Sequence, residues 1–157
     1  MEIRSSELSA SDGYSFRSLG WHDRAELKAF FLSLDFDQRR SYFGGCLCDQ
    51  AIADFCGAID WSRTIVVAHA ASHWLDAVAL IASIPPDDET AELSMACSTR
   101  CSRSTTVGSL FDFATAIASP CRELIIHREL AMPELIHLVR ERGIGAFTAD
   151  EIRIRPR

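Results

Sequence analysis

The chain has 157 residues, 48% of them hydrophobic, with 16 Lys and Arg against 22 Asp and Glu for a formal net charge of −6. That length and apolar share suit one domain with one sizeable core, and the acidic balance excludes a role built on neutralising a nucleic-acid backbone. No long uncharged apolar run occurs at the start or later, so no signal peptide or membrane span is expected and the cytoplasm is the expected compartment.

In chain order, the small and polar residues 1–13 are expected to be flexible ahead of a first strand at Tyr14–Leu19. Leu27, Phe30, Phe31 and Leu34 then follow i, i+3, i+4, i+7 spacing and predict an amphipathic helix over 22–34, with a second helix over 35–42. Gly44 and Gly45 break the pattern, and Asp49 is placed to cap a third helix carrying Ile52, Phe55, Cys56 and Ile59 on one face. The runs TIVVAHA (64–70) and DAVALIASI (76–84), joined by Ser72, His73, Trp74 and Leu75, read as a hairpin. After a turn at Pro85, Pro86, Asp87 and Asp88, AELSMAC (91–97) returns as a third consecutive strand.

Residues 104–119 place Val107, Leu110, Phe111, Ala114 and Ala118 on one helical stripe that Pro120 ends. A strand at Glu123–His127 follows, then a helix opened by Pro133 with Met132, Leu135, Ile136 and Val139 as its stripe. Gly143 closes that helix, and 146–154 form the last strand. The order predicts an α+β (mixed α/β) domain, a central mixed, mostly antiparallel sheet flanked by helices. Cys46-x-Cys48 and Cys97-x-x-x-Cys101 lack the second ligand pair that a zinc site requires, so the six cysteines are expected to be reduced thiols and no metal is called for.

This order resembles that of the GNAT-type N-acetyltransferases over about residues 15–154, and several strings carry the resemblance. Residues 31–45, FLSLDFDQRRSYFGG, are similar to the first helices of the subgroup that includes protein-lysine acetyltransferase domains. Ala91-Glu92-Leu93-Ser94 is similar to the start of the strand whose backbone pairs with the pantetheine arm of acetyl-CoA. Met132-x-x-Leu135-x-x-Leu138 with Gly143-Ile144 keeps the spacing of a later family element. The family's pyrophosphate loop, Q/R-x-x-G-x-G/A, is matched in one register by Arg103-Ser-Thr-Thr106-Val-Gly108, with Thr106 replacing the middle glycine. A count without gaps from Glu92 shifts by one and loses all three positions, so the first register is preferred. Arg140-x-x-Gly143-x-Gly145 fits the same letters, but closes a helix instead of opening one.

The resemblance implies transfer of acetyl from acetyl-CoA to a primary amine, on a small molecule or a protein lysine. It implies a cofactor site at Met95, Ala96 and Cys97 on the strand and at Arg103, Ser104, Thr105, Thr106, Val107, Gly108 and Ser109 at the helix opening, with Glu92 as general base. The position of the family's acidic Tyr is Val139, so Tyr42, His127 and Cys97 stand as alternatives for that role. Arg39, Arg40, Arg100 and Arg103 can meet phosphates, although a solvated charged face also accounts for the first two. A homodimer is compatible with this reading. The rival reading is a catalytically inactive binding or regulatory domain of the same fold that has lost the phosphate loop.

Overall fold

A computed structural model describes residues 8–9, 14–45, 47–71, 74–86, 89–100 and 103–156. Ser72, His73, Asp87, Asp88, Cys46 and Cys101, which figure in the readings above, lie outside the described residues. The strands are β1 (Leu8–Ser9), β2 (Tyr14–Leu19), β3 (Thr64–Ala71), β4 (Trp74–Ser83), β5 (Thr90–Cys97), β6 (Glu123–His127), β7 (Gly145–Phe147) and β8 (Glu151–Ile154). The helices are α1 (Arg24–Ser33), α2 (Phe36–Phe43), α3 (Asp49–Ala58), α4 (Arg103–Ile117) and α5 (Pro133–Arg142). The strands form one eight-stranded sheet in the order β1-β2-β3-β4-β5-β6-β8-β7, antiparallel throughout except for β5 and β6.

Both faces of the sheet are covered, which is why β3 to β5 read as near-continuous apolar runs. Val67, Ala77, Ala79, Leu93 and Met95 face the stripe of α4 (Val107, Leu110, Phe111, Ala114) and Leu135 and Val139 of α5. Val66, Ala68, Val78, Leu80 and Ala96 face Leu27, Phe30, Phe31, Ile52 and Cys56 of α1 and α3. Alternation along β5 therefore sends Leu93 and Met95 to one side and Ala96, Ser94 and Glu92 to the other. No helix among the described residues is long and apolar enough to cross a membrane.

Four local readings are corrected. The helix expected over 22–34 begins with a 3-10 turn at Trp21–Asp23, and Leu34 leaves α1 in extended conformation while staying buried. Asp49 is the first residue of α3 and not its cap; Cys48 holds the cap position without a side-chain bond, because the Asp49 carboxylate is taken by Arg39 at 2.8 Å. Trp74 and Leu75 belong to β4, opposite Ala71 and Ala70, because a bulge at His69/Ala70 lets β4 take up the extra residue Asp76. The final strand is a hairpin: Thr148 closes the turn between β7 and β8, its N–H donating to the Glu151 carbonyl and its hydroxyl accepting from the Glu151 N–H. Upstream of Tyr14, β1 pairs Leu8 and Ser9 with Phe16 and Ser15.

Gly143 caps α5 with φ of 62°, and Gly145 is a packing glycine: a Cβ there would lie 2.6 Å from Val139 Cγ1 and 2.9 Å from Ile152 Cγ2. Neither opens a helix, so this second glycine pair has a structural explanation.

The bulge buries an ionisable pair, His69 Nδ1 lying 4.0 Å from Asp76 Oδ2, with the imidazole packed on Phe16 at 5.0 Å. Burial lowers the His69 pKa, and the Asp76 charge opposes that shift without cancelling it. A histidine held below its ordinary value binds its proton more readily in the unfolded chain, so stability falls as pH drops through about 6.5. A series of melting temperatures against pH should show that fall in the parent protein and a flatter profile in His69→Gln. Equal slopes would contradict the assignment.

Candidate active site

Helix α2 is set in place by its ends and by one arginine. Asp35 caps it, accepting from Gln38 N–H at 2.8 Å, while the Gln38 side-chain oxygen accepts from Asp35 N–H at 2.9 Å. Gly44 ends it with φ of 71°, a left-handed turn that glycine adopts readily. Arg39 corrects both sequence readings of that residue, since its side chain is only 16% exposed and meets no open face. Its guanidinium donates to the carbonyls of Leu32 (2.7 Å), Leu34 (3.0 Å) and Leu47 (3.3 Å) and to Asp49, tying the end of α1 to the start of α3 across α2. Arg39→Ala should therefore destabilise the protein by about 2 kcal/mol or more, and Arg39→Lys should recover little of it because an ammonium cannot span the same acceptors. Urea unfolding is the check; a loss within the ~0.5 kcal/mol of an ordinary surface substitution would refute this role.

Thus held, α2 presents Tyr42 and Gln38 to β5. Tyr42 is 7% exposed, in an aromatic cluster with Phe31 at 5.0 Å, Phe43 at 4.8 Å and Phe55 at 6.5 Å between ring centres. Its hydroxyl shares a 2.9 Å hydrogen bond with Ser94 Oγ on β5. Burial raises the Tyr42 pKa, the Glu92 charge adds to the rise and the bond to Ser94 opposes it, so the hydroxyl stays protonated at neutral pH. Glu92, two residues before Ser94, lies on the same face, and its Oε2 is 3.7 Å from His127 Nε2 across the gap to β6.

That gap results from splaying. β5 and β6 pair only at Thr90↔Glu123, Ala91↔Leu124 and Glu92↔Ile125, after which β6 follows β8 and β5 stays with β4. Ser98 N–H donates to the Asp76 carbonyl at 2.7 Å, so even-numbered residues of β5 turn their peptides to β4 and odd-numbered ones, Met95 and Cys97, turn theirs to the gap. The Gln38 side-chain amide donates to the Cys97 carbonyl from the gap side at 3.0 Å, which demonstrates that this edge accepts an amide from outside the sheet.

Two cavities flank Tyr42. The first, of about 360 Å³, runs between α2, the Met95–Ala96–Cys97 stretch and the start of α5 at Met132, Pro133 and Glu134. The second, of about 390 Å³, lies beyond the Tyr42–Ser94 bond and contains Glu92 in its wall.

The remaining sequence candidates are distributed as follows. Arg103 is the first residue of α4, so among the described residues the amides without intrahelical partners are those of Arg103, Ser104 and Thr105. Val107, Gly108 and Ser109 lie past the first turn, where their amides belong to the helix ladder. Thr106 is 7% exposed and Val107 1%, so both side chains turn into the protein. A Cβ on Gly108 would make only an ordinary 3.9 Å contact with Arg142. Arg100 lies over the Trp74 ring at 5.6 Å, Arg40 is exposed, and Val139 is fully buried. Among the described residues no group of three or more His, Cys, Asp and Glu could hold a metal. Ser94, Gln38, Phe43 and Phe55 also belong to the site, and no motif in the sequence marks them. Only their helix and strand phase, set beside Tyr42 and Glu92, could have brought them forward.

No family model matches the sequence, and no curated protein does. Among solved structures, the chain is similar to the GNAT domain of S. lividans PAT, with TM-score 0.66 and 12% identity over 96% of this chain and 94% of that one. It is similar to a putative acetyltransferase from Salmonella typhimurium, solved with its cofactor acetyl-CoA, with TM-score 0.67 and 10% identity over 93% and 95%. It is also similar to spermidine N-acetyltransferase from Vibrio cholerae, solved with CoA and spermine, with TM-score 0.62 and 13% identity over 92% and 95%. The chain has the GNAT fold.

Proposed function

We propose that this chain is a cytoplasmic N-acetyltransferase of the GNAT family that moves an acetyl group from acetyl-CoA to a primary amine. The observation that carries the reading is the pair of cavities that share Tyr42 as a wall, one along the open edge of β5 and the other walled by Glu92 and Ser94. A two-substrate transfer needs such an arrangement, with donor and acceptor approaching one point from opposite sides. A binding-only domain has no use for it.

Acetyl-CoA fits the first cavity by the chemistry of its walls. The peptide of Met95 and the carbonyl of Cys97, already engaged by an amide from Gln38, suit the amides of a pantetheine arm along Met95, Ala96 and Cys97. The opening of α4 over 103–109 suits the pyrophosphate, led by the first-turn amides of Arg103, Ser104 and Thr105 and the positive end of the helix dipole. In this reading the side chain of Thr106 does not crowd the phosphate, because it is buried in the protein.

On the acceptor side, Glu92 takes the proton that the amine nitrogen loses as it bonds to the acetyl carbon, directly or through one water, and His127 across the splay positions the carboxylate. The carbon–sulfur bond then breaks and the thiolate leaves. Tyr42, held protonated, donates a hydrogen bond to the developing charge from a dry, fixed position beside Ser94. Incubating the protein with acetyl-CoA and a mixed amine pool, and following free thiol and acetylated product by mass spectrometry, tests the reading. Stoichiometric appearance of both is expected; an intact thioester in the presence of every amine would refute it.

A further inference from the structure

The second cavity has a lining that bears on what it holds. Phe43, Phe55, Ile59, Leu80 and Leu130 form an apolar box, with the Phe43 and Phe55 rings edge to face at 5.2 Å and 81°. The box is built by the turn at Gly44, where a Cβ would stand 3.1 Å from Leu130 Cδ2, so Leu130 closes directly over the end of α2. Its volume of about 390 Å³ falls in the range of small-ligand sites. Two carboxylates reach it, and they differ. Asp60 sits exposed at the rim with Oδ1 occupied by the Ser62 N–H at 3.0 Å and hydroxyl at 2.6 Å, whereas Glu92 stands in the wall with Ser94 and Tyr42, the residue that also lines the first cavity.

An extended polycation needs carboxylates at intervals along its length, and an amino sugar needs polar groups around its hydroxyls; beyond Tyr42 and Ser94, which bond each other, the polar lining is only Thr64, Glu92 and an Asp60 whose Oδ1 is engaged by Ser62. One wall carboxylate, Glu92, beside a largely aromatic and aliphatic enclosure matches a single ammonium on a compact apolar body, with an aromatic ring favoured by edge-to-face contact with Phe43 and Phe55. We infer that the acceptor is an arylalkyl monoamine, its ring packed against the Phe43–Phe55 pair and its nitrogen at Glu92 and Ser94. This rests on the two-sided transfer reading above.

The test compares 2-phenylethylamine, n-butylamine and spermidine as acceptors, with acetyl-CoA affinity measured separately by calorimetry. Phenylethylamine is expected to exceed the other two in kcat/KM by about tenfold or more. Ala58→Trp, on the exposed rim of the cavity at the end of α3, should raise the KM for phenylethylamine by about tenfold with acetyl-CoA affinity unchanged; Phe55→Ala should do the same, its folding checked by circular dichroism. Preference for spermidine, or an unmoved KM in Ala58→Trp, overturns the acceptor assignment while leaving acetyl transfer intact. Failure of acetyl-CoA to bind overturns the transfer reading. In that event the same amines titrated into the protein alone decide the acceptor question, and binding of phenylethylamine no tighter than spermidine, or unaffected by Ala58→Trp, overturns it.

Discussion

Replacing Tyr42 with Phe is expected to lower kcat by about a hundredfold, the scale seen when one preorganised donor to developing charge is removed. The ring remains in its cluster with Phe31, Phe43 and Phe55, so packing is retained, and the lost bond to the half-buried Ser94 costs about 1 kcal/mol of stability. Acetyl-CoA affinity should hold, because the contacts assigned to the coenzyme come from β5 and α4. Steady-state kinetics with a calorimetric Kd separate these effects. An unchanged kcat would remove Tyr42 from the chemistry, and a fall in affinity matching the fall in kcat would make it a binding residue.

The second large effect is expected at Glu92. Its side chain is 40% exposed, so Glu92→Gln should fold as the parent does while kcat/KM at neutral pH falls by a factor of about 10² to 10⁴, the range for loss of a general base. The sign of the pH dependence identifies the role. An amine acceptor with a pKa near 10 becomes neutral without help as pH rises, so the variant's deficit should shrink in alkaline solution. A deficit constant across pH, or below about threefold throughout, would mean that Glu92 serves only the electrostatics of the wall.

Much of this architecture is legible in the sequence because local chemistry and tertiary environment agree there. β3 and β4 are largely buried on both faces and therefore read as near-continuous apolar runs, and the α4 stripe of Val107, Leu110, Phe111 and Ala114 is the stripe that packs. Pro133 and Gly143 bracket α5 as their backbone preferences require. Features that depend on distant partners left no such mark. The β7–β8 turn is closed by Thr148 without glycine or proline, so 146–154 reads as one strand. The bulge at His69/Ala70 has no signature in a run of alanine and valine.

For the site, Glu92 and the Met95–Ala96–Cys97 edge came from resemblance in one strand string, and the splay of β5 from β6 puts that edge at a cavity. The bond between Tyr42 and Ser94 joins residues 52 positions apart, and Arg39 gathers carbonyls from two segments; neither pairing is encoded in local spacing. The helix opening is the converse case. Letters alone aligned Gly108 with a phosphate loop, whereas α4 starts at Arg103 and places Gly108 in its second turn.

The central claim is that the open edge of β5 and the first turn of α4 receive acetyl-CoA, and calorimetric titration of the folded protein with acetyl-CoA tests it most directly. One equivalent binding with a Kd in the micromolar range, about −8 kcal/mol, is the result this account predicts. A correctly folded sample giving no heat with millimolar acetyl-CoA would contradict it.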